Sequence, residues 1–315
     1  MSVPRLLVIG GNGFLGSAIC RLAVGKGWDV SSMSSSGKPY ATPAGHTPAW
    51  VPQVKWHAAS AFSPDSYSSL IQESTAVVHT LGILLEDAGY KQSVKSGDVL
   101  GLVKSFASSL GGGGGNGNPL KSERNGNPLK SEEERRRGYE GMNRDSALTV
   151  LDTLISSRQI RPSTSSTNTT PFVYISAADA FRLVVPRRYI ETKRQAELGI
   201  LSRCASHPDA GIKPTFIRPG LMYHPHIRPL TTLPAFLVDL SAKLSSASGL
   251  PNPFASRSAL HGALESLRTY PLHVDHVAAA VLKCIEEGRE GVVEVPEMRE
   301  WAGLGGKRRV DIGLQ

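Results

Sequence analysis

A doubly wound α/β fold, with a parallel sheet covered by helices on both faces and a small C-terminal lobe, is predicted by three observations. Short apolar runs of strand length alternate with segments of helical period through most of residues 5–220. The first run ends in glycines and passes directly into a helical pattern. The composition, 40% apolar and 20% charged over 315 residues, is that of a globular chain with ample core.

The elements follow in order. RLLVIGG (5–11) is a buried strand entering a turn, and FLGSAICRLAVGKG (14–27) a helix with Leu15, Ile19, Leu22 and Ala23 on one side. WDVSSM (28–33), VKWHAA (54–59) and TAVVHTLG (75–82) read as strands two to four. SPDSYSSLIQES (63–74) reads as a short helix, with Ser63 as cap and Pro64 as first helical residue. The alternation then breaks. Residues 111–137 are glycine-rich and then charged, with the octapeptide NGNPLKSE at 116–123 and again at 125–132, which reads as a duplication inside a flexible surface insert. YEGMNRDSALTVLDTLI (139–155) is a helix, 156–170 a polar loop, PFVYISA (171–177) a fifth strand, and YIETKRQAELGILSRCA (189–205) a helix. KPTFIRPG (213–220) is a sixth strand closed by Pro-Gly. The less regular residues 221–300 hold two helices (233–246 and 274–288) and a late strand (291–295), and read as a small substrate lobe. Residues 301–315 form a tail. The expected division is thus a nucleotide-binding domain over 1–220 and the lobe over 221–300.

The bulk numbers exclude several functions. No run of 18 apolar residues exists, so no transmembrane helix is expected. The net charge of +8 is scattered, and its densest stretches, Arg135–Arg137 and Lys307–Arg309, stand in low-order regions without a nucleic-acid-binding motif. Three widely spaced cysteines, Cys20, Cys204 and Cys284, lack metal-ligand spacing and fit buried thiols in a reducing compartment. MSVPRLLVIGG leaves no room for a presequence, so composition alone points to the cytoplasm.

Two constellations carry chemistry. Gly10, Gly13 and Gly16 recur at every third position across the first strand–helix junction. This is a variant of the dinucleotide fingerprint of a Rossmann-like sheet: one glycine for the turn, one for approach to a pyrophosphate, one for helix–sheet contact. Backbone N–H groups of Asn12, Gly13, Phe14, Leu15 and Gly16, with the helix dipole, would hold the phosphates. The second constellation is Tyr189 and Lys193. At i and i+4 they share a helix face, where the ammonium would lower the phenol pKa and ready it for proton transfer. Taken alone this pair is an ordinary solvated-helix pattern; the glycine turn upstream gives it weight. His79 reads as a strand-end residue, Asp275 and His276 as a capped helix start, and Tyr223 and His224 as cleft-lining or loop-closing residues. Leu233, Phe236, Leu237 and Leu240 read as a core stripe more than as a quinone or membrane surface.

The glycine turn, Tyr-x-x-x-Lys after strand five, FIRPGLMY (216–223) and HVDHVAAAV (273–281) together resemble the short-chain dehydrogenase/reductase superfamily in its extended and atypical forms. The resemblance implies Tyr189 as general acid/base, Lys193 as ribose-binding residue, Asn143 as the helix asparagine and Ser176 as the active-site serine. Extended members often place that serine one residue later, at Ala177 here. Leu81 would line the nicotinamide nucleotide. The segment SSMSSSGK (31–38) carries no acid for the 2′-hydroxyl of NAD. Ser35, where relatives can carry arginine, and Lys38 remain to receive a 2′-phosphate, so NADP(H) is expected over NAD(H). Ser60 replaces an adenine-contacting aspartate. VVHTLGILLE, NPLKS, MNRDSA and IRPGLMY narrow the resemblance to a fungal mitochondrial group associated with ubiquinone (coenzyme Q) biosynthesis, related to the nucleotide-binding accessory subunit of respiratory complex I. That implies a quinone-type lipid substrate, partners in the coenzyme Q synthesis complex, and peripheral association with the matrix side of the mitochondrial inner membrane.

Overall fold

The structure, a computed structural model, describes residues 3–83, 132–160, 169–179, 186–225 and 271–304. Seven parallel strands form one sheet in the order β3-β2-β1-β4-β5-β6-β9. They are β1 (Arg5–Ile9), β2 (Asp29–Ser34), β3 (Val54–Ala58), β4 (Ala76–His79), β5 (Thr170–Ile175), β6 (Ile212–Ile217) and β9 (Gly291–Val293). Two short strands, β7 (Met222–Tyr223) and β8 (Leu272–His273), pair beside it. The helices are α1 (Phe14–Gly25), α2 (Ser68–Glu73), α3 (Glu132–Arg137), α4 (Ser146–Ile160), α5 (Arg187–Ser206), α6 (Val274–Glu287) and α7 (Val295–Trp301).

Alternation of side chains across the strands makes two cores. In β1, Leu6 and Val8 face one side, where α1, α6 and α7 bring Ile19, Ala23, Val277, Val281 and Met298. Leu7 and Ile9 face the other, joined by Phe172, Tyr174 and Phe216 from the sheet and by Ile71, Val150, Leu151, Leu154, Ala196 and Ile200 from α2, α4 and α5. Each large aliphatic side chain buried here contributes ~2 kcal/mol. Helices on both faces leave the carboxyl ends of the strands as the exposed working edge.

Several expectations need correction. Ser63 does not cap: its side chain makes no cap hydrogen bond, and Pro64–Ser66 form a 3-10 turn before α2 begins at Ser68. The last six residues of the insert, Glu132–Arg137, are helical, and Arg136 lies over the Phe62 ring at 5.7 Å. The helix at 139–155 opens with a wide π-turn over Glu140–Asp145 and continues to Ile160, into the stretch read as a polar loop. Strand nine stops at Val293, because Val295-Pro296 starts α7 with proline at an early helical position. Within 271–304, where the sequence places part of the C-terminal lobe, β9 extends the main sheet beside β6 and α6 packs along α1. The helix expected at 233–246, with its Leu233–Leu240 stripe, lies outside the described residues, as do both NGNPLKSE copies except Glu132.

Candidate functional site: the crevice at the ends of strands one, four and five

The strand order reverses between β1 and β4, whose connections leave in opposite directions and open a crevice at their carboxyl ends. The glycine turn sits there. Gly10 has φ +88°, and a Cβ on it would lie 2.7 Å from Thr80 Oγ1 and 2.9 Å from Leu81 Cδ2. Only glycine tolerates both the left-handed backbone and the neighbouring loop. A Cβ on Gly16 would stand 2.8 Å from Gly11 Cα, so the first turn of α1 rests directly on the strand end. Gly13 N–H donates to Gly10 O at 2.9 Å and closes the turn. The first turn of α1 thus begins on a cradle of bare backbone, the kind of helix N-terminus that suits a phosphate. Its residues fit a dinucleotide phosphate.

Asn12 ties this cradle to the loop after β2. Its amide donates to Ser34 Oγ at 3.3 Å and to the Lys38 carbonyl at 3.4 Å. Ser35, Ser36 and Lys38 are exposed there, and no carboxylate stands among them. Leu81 is half-buried above Gly10.

Across the crevice, Lys193 is 2% exposed. Its Nζ donates to the carbonyls of Ile175 (2.8 Å) and Leu81 (3.3 Å), at the ends of β5 and β4, and lies 4.8 Å from the centre of the Tyr174 ring. Burial pushes its pKa down to about 7, against the attraction of Glu197. Gly82 makes room for it: a Cβ there would lie 2.8 Å from Nζ and 3.0 Å from Asn143 Oδ1. Asn143, in the π-turn, accepts from Ile83 N–H (2.8 Å) through Oδ1, and donates from Nδ2 to Ile83 O (3.2 Å) and Thr192 Oγ1 (3.2 Å). One asparagine therefore fastens the segment after β4 to α5. The Tyr174 phenol donates to the Asn143 carbonyl, and burial raises its pKa well above the usual range. His79 is the last residue of β4 and is fully buried. Its Nε2 meets Ser146 Oγ at 3.1 Å, and burial, with the Lys193 charge, lowers its pKa to about 3.

Tyr189 is half-buried in the first turn of α5, one turn before Lys193. Ser176 directly follows β5, next to the Ile175 carbonyl that Lys193 holds. It is 3% exposed; its hydroxyl donates to Glu197 and accepts from Arg194 Nη1 at 3.0 Å. Ser176 therefore belongs to an ion network. Residue patterns missed Glu197, Arg194, Thr192 and Gly82. The available signal was in α5: Glu197 falls one turn after Lys193 on the same buried face and three residues after Arg194.

The comparisons with known proteins agree with this architecture. The family model described as NAD dependent epimerase/dehydratase matches residues 6–95. MIOREX complex component 2 of Saccharomyces cerevisiae is 34% identical over 299 residues, covering 94% of this chain and 99% of that protein. Among solved structures, a short chain dehydrogenase of Leptospira borgpetersenii with bound NAD+ superposes with a TM-score of 0.55 at 9% identity, covering 97% of this chain and 94% of that one. Ligand-free aldohexose dehydrogenase of Thermoplasma acidophilum gives 0.53 at 14% identity, covering 99% and 97%. An ElxO variant with NADPH bound gives 0.53 at 12% identity, covering 93% and 97%. These structures share the fold.

Proposed function

From the premise that the chain belongs to the family of yeast MIOREX complex component 2, within the NAD-dependent epimerase/dehydratase-like short-chain dehydrogenases, we propose that it binds NADP(H) in this crevice and acts on a carbonyl of a quinone-ring precursor in mitochondrial ubiquinone biosynthesis. The observation that carries the reading is Lys193: a buried amine held at the ends of β4 and β5, across the crevice from the glycine turn and one helical turn from Tyr189. A bound nicotinamide supplies the hydride. Tyr189 would give a proton to the substrate oxygen on reduction, or take one from it on oxidation. Lys193 would lower the cost of the phenolate and, by the family resemblance, would hold the nicotinamide ribose. Ser35, Ser36 and Lys38, with no acid beside them, support NADP(H) over NAD(H). The quinone-synthesis setting, the matrix side of the inner membrane and the quinone-type lipid rest on the sequence resemblance.

A second reading is favoured by Ser176, whose proton is already given to Glu197. In it the protein is a nucleotide-binding component of a coenzyme Q synthesis complex without turnover, in keeping with a relative named as a complex component. One experiment separates the two. Tyr189→Phe is introduced into a strain lacking the gene, and ubiquinone and its intermediates are quantified. Loss of ubiquinone, with normal protein abundance, supports the enzyme; full restoration supports the structural component. If deletion itself leaves ubiquinone unchanged, the pathway assignment is wrong. The nucleotide claim has its own test, since purified protein should gain thermal stability at millimolar NADPH and less at millimolar NADH.

A further inference from the structure

Strand β5 ends against a guanidinium. Arg194, the residue after Lys193, donates from Nη1 to Ser176 Oγ (3.0 Å) and Glu197 Oε1 (2.8 Å), and from Nη2 to the Ala177 carbonyl (2.8 Å). Glu197, 4% exposed, also accepts from Arg218 Nε (3.0 Å) and Nη2 (2.5 Å). Arg218 is held on its other side by Glu294 at 2.8 Å.

Three features distinguish Arg194 from an ordinary structural ion pair. The first is place. Ser176 and Ala177 follow β5 at the carboxyl edge of the sheet, where open α/β folds take their ligands. Lys193 donates to the Ile175 carbonyl, and Arg194 to Ser176 and the Ala177 carbonyl, so the two cations hold three consecutive residues at the end of β5. The second is donor count. A guanidinium has five N–H bonds. Three are engaged here, and among the described residues nothing accepts the Nε–H or the second Nη2–H. About a quarter of the side chain remains exposed. The third is the orientation of Ser176. Its proton goes to Glu197 and one of its lone pairs to Arg194, so Ser176 itself has no proton to offer a ligand. Arg218 takes both Glu197 oxygens and Glu294 besides, whereas Arg194 shares one Glu197 oxygen.

We propose that Arg194 is a substrate-binding residue that takes an anionic oxygen, a carboxylate or phenolate, carried by the substrate near its reacting carbonyl, with Glu197 and Ser176 as its positioning residues. The planar fork suits an oxyanion. This inference rests on the preceding reading in taking the crevice for the substrate cleft.

Benzoate is the probe and benzamide its uncharged counterpart, titrated into ¹⁵N-labelled protein with and without NADPH while the Arg194 Nε–H resonance is followed. Benzoate should shift that resonance saturably and benzamide should not. Arg194→Lys should weaken benzoate about tenfold or more, because a point charge replaces a two-pronged donor. A resonance unmoved by benzoate, or moved equally by benzamide, overturns the proposal. So does an Arg194→Lys variant of unchanged benzoate affinity. If benzoate binds while NADPH does not, the arginine site stands and the nucleotide reading falls. The wild-type titration decides the matter even if the substitution disturbs folding.

Discussion

The two walls of the crevice are built from different materials. The wall at β1 and α1 is backbone: a left-handed glycine, a turn closed by Gly13 N–H on Gly10 O, and a helix turn resting on a strand end. The wall at β5 and α5 is side chain: a buried lysine on two carbonyls, an asparagine holding three polar groups, and a glutamate shared by two arginines. Absence of atoms shapes the first. Desolvated charge and its compensation shape the second. The first wall is suited to any nucleotide phosphate, and selectivity for a reaction has to reside in the second.

This contrast can be broken most severely at Gly16. Gly16→Val adds a branched side chain where even a Cβ would lie 2.8 Å from Gly11 Cα. It should cost ~3 kcal/mol in urea denaturation and abolish any NADPH-induced thermal shift. A well-folded variant that still binds NADPH would show that backbone contact does not form this wall. On the other wall, Glu197→Gln removes the anion from two partly exposed arginines and leaves their charges facing each other. Its cost should be about 2 kcal/mol, less than for a fully buried pair because water reaches both guanidiniums. An unchanged melting temperature would mean the network carries no stability.

Lys193 gives a pH signature that the backbone wall lacks. Burial lowers its pKa from 10.5 to about 7 in the folded chain, while the unfolded chain keeps the proton up to about 10.5. Between these values the unfolded state binds more protons, so stability rises with pH. Below about 7 both states are protonated and the contribution is constant. Relative to Lys193→Met, the wild type should gain about 1–2 kcal/mol between pH 7 and pH 8.5, measured by denaturant melts across that range. Parallel curves for the two proteins would mean that the amine is not desolvated. The smallest effect belongs to Tyr189→Phe. The side chain is half-buried at the start of α5, so stability should change by no more than ~0.5 kcal/mol. A larger loss would make this variant useless as a probe of chemistry.

The same contrast explains what was legible in the sequence. Gly10, Gly13 and Gly16 were readable because steric needs of a strand–turn–helix junction leave a fixed residue spacing. The parallel strands were readable because burial on both faces demands continuous apolar runs, as in LLVI and AVVH. Tyr189 and Lys193 were readable as a helical pair. Their surroundings were not, because Ser176, Glu197, Arg194 and Arg218 come from three separate segments and meet only when β5, α5 and β6 assemble. Ser63 looked like a helix cap because serine before proline commonly is one, but the chain tightens into a 3-10 turn there. The π-turn at Glu140–Asp145 has no residue signature either, and it is what brings Asn143 into contact with Ile83.

The central claim is that both walls hold one nucleotide. Amide hydrogen exchange with and without saturating NADPH tests it most directly. Protection is expected in two places at once: residues 10–16 at the glycine turn, and residues 80–83 with the first turns of α5, where Lys193 and Asn143 hold the opposite side. Protection confined to the glycine turn, or absent from both, would contradict it.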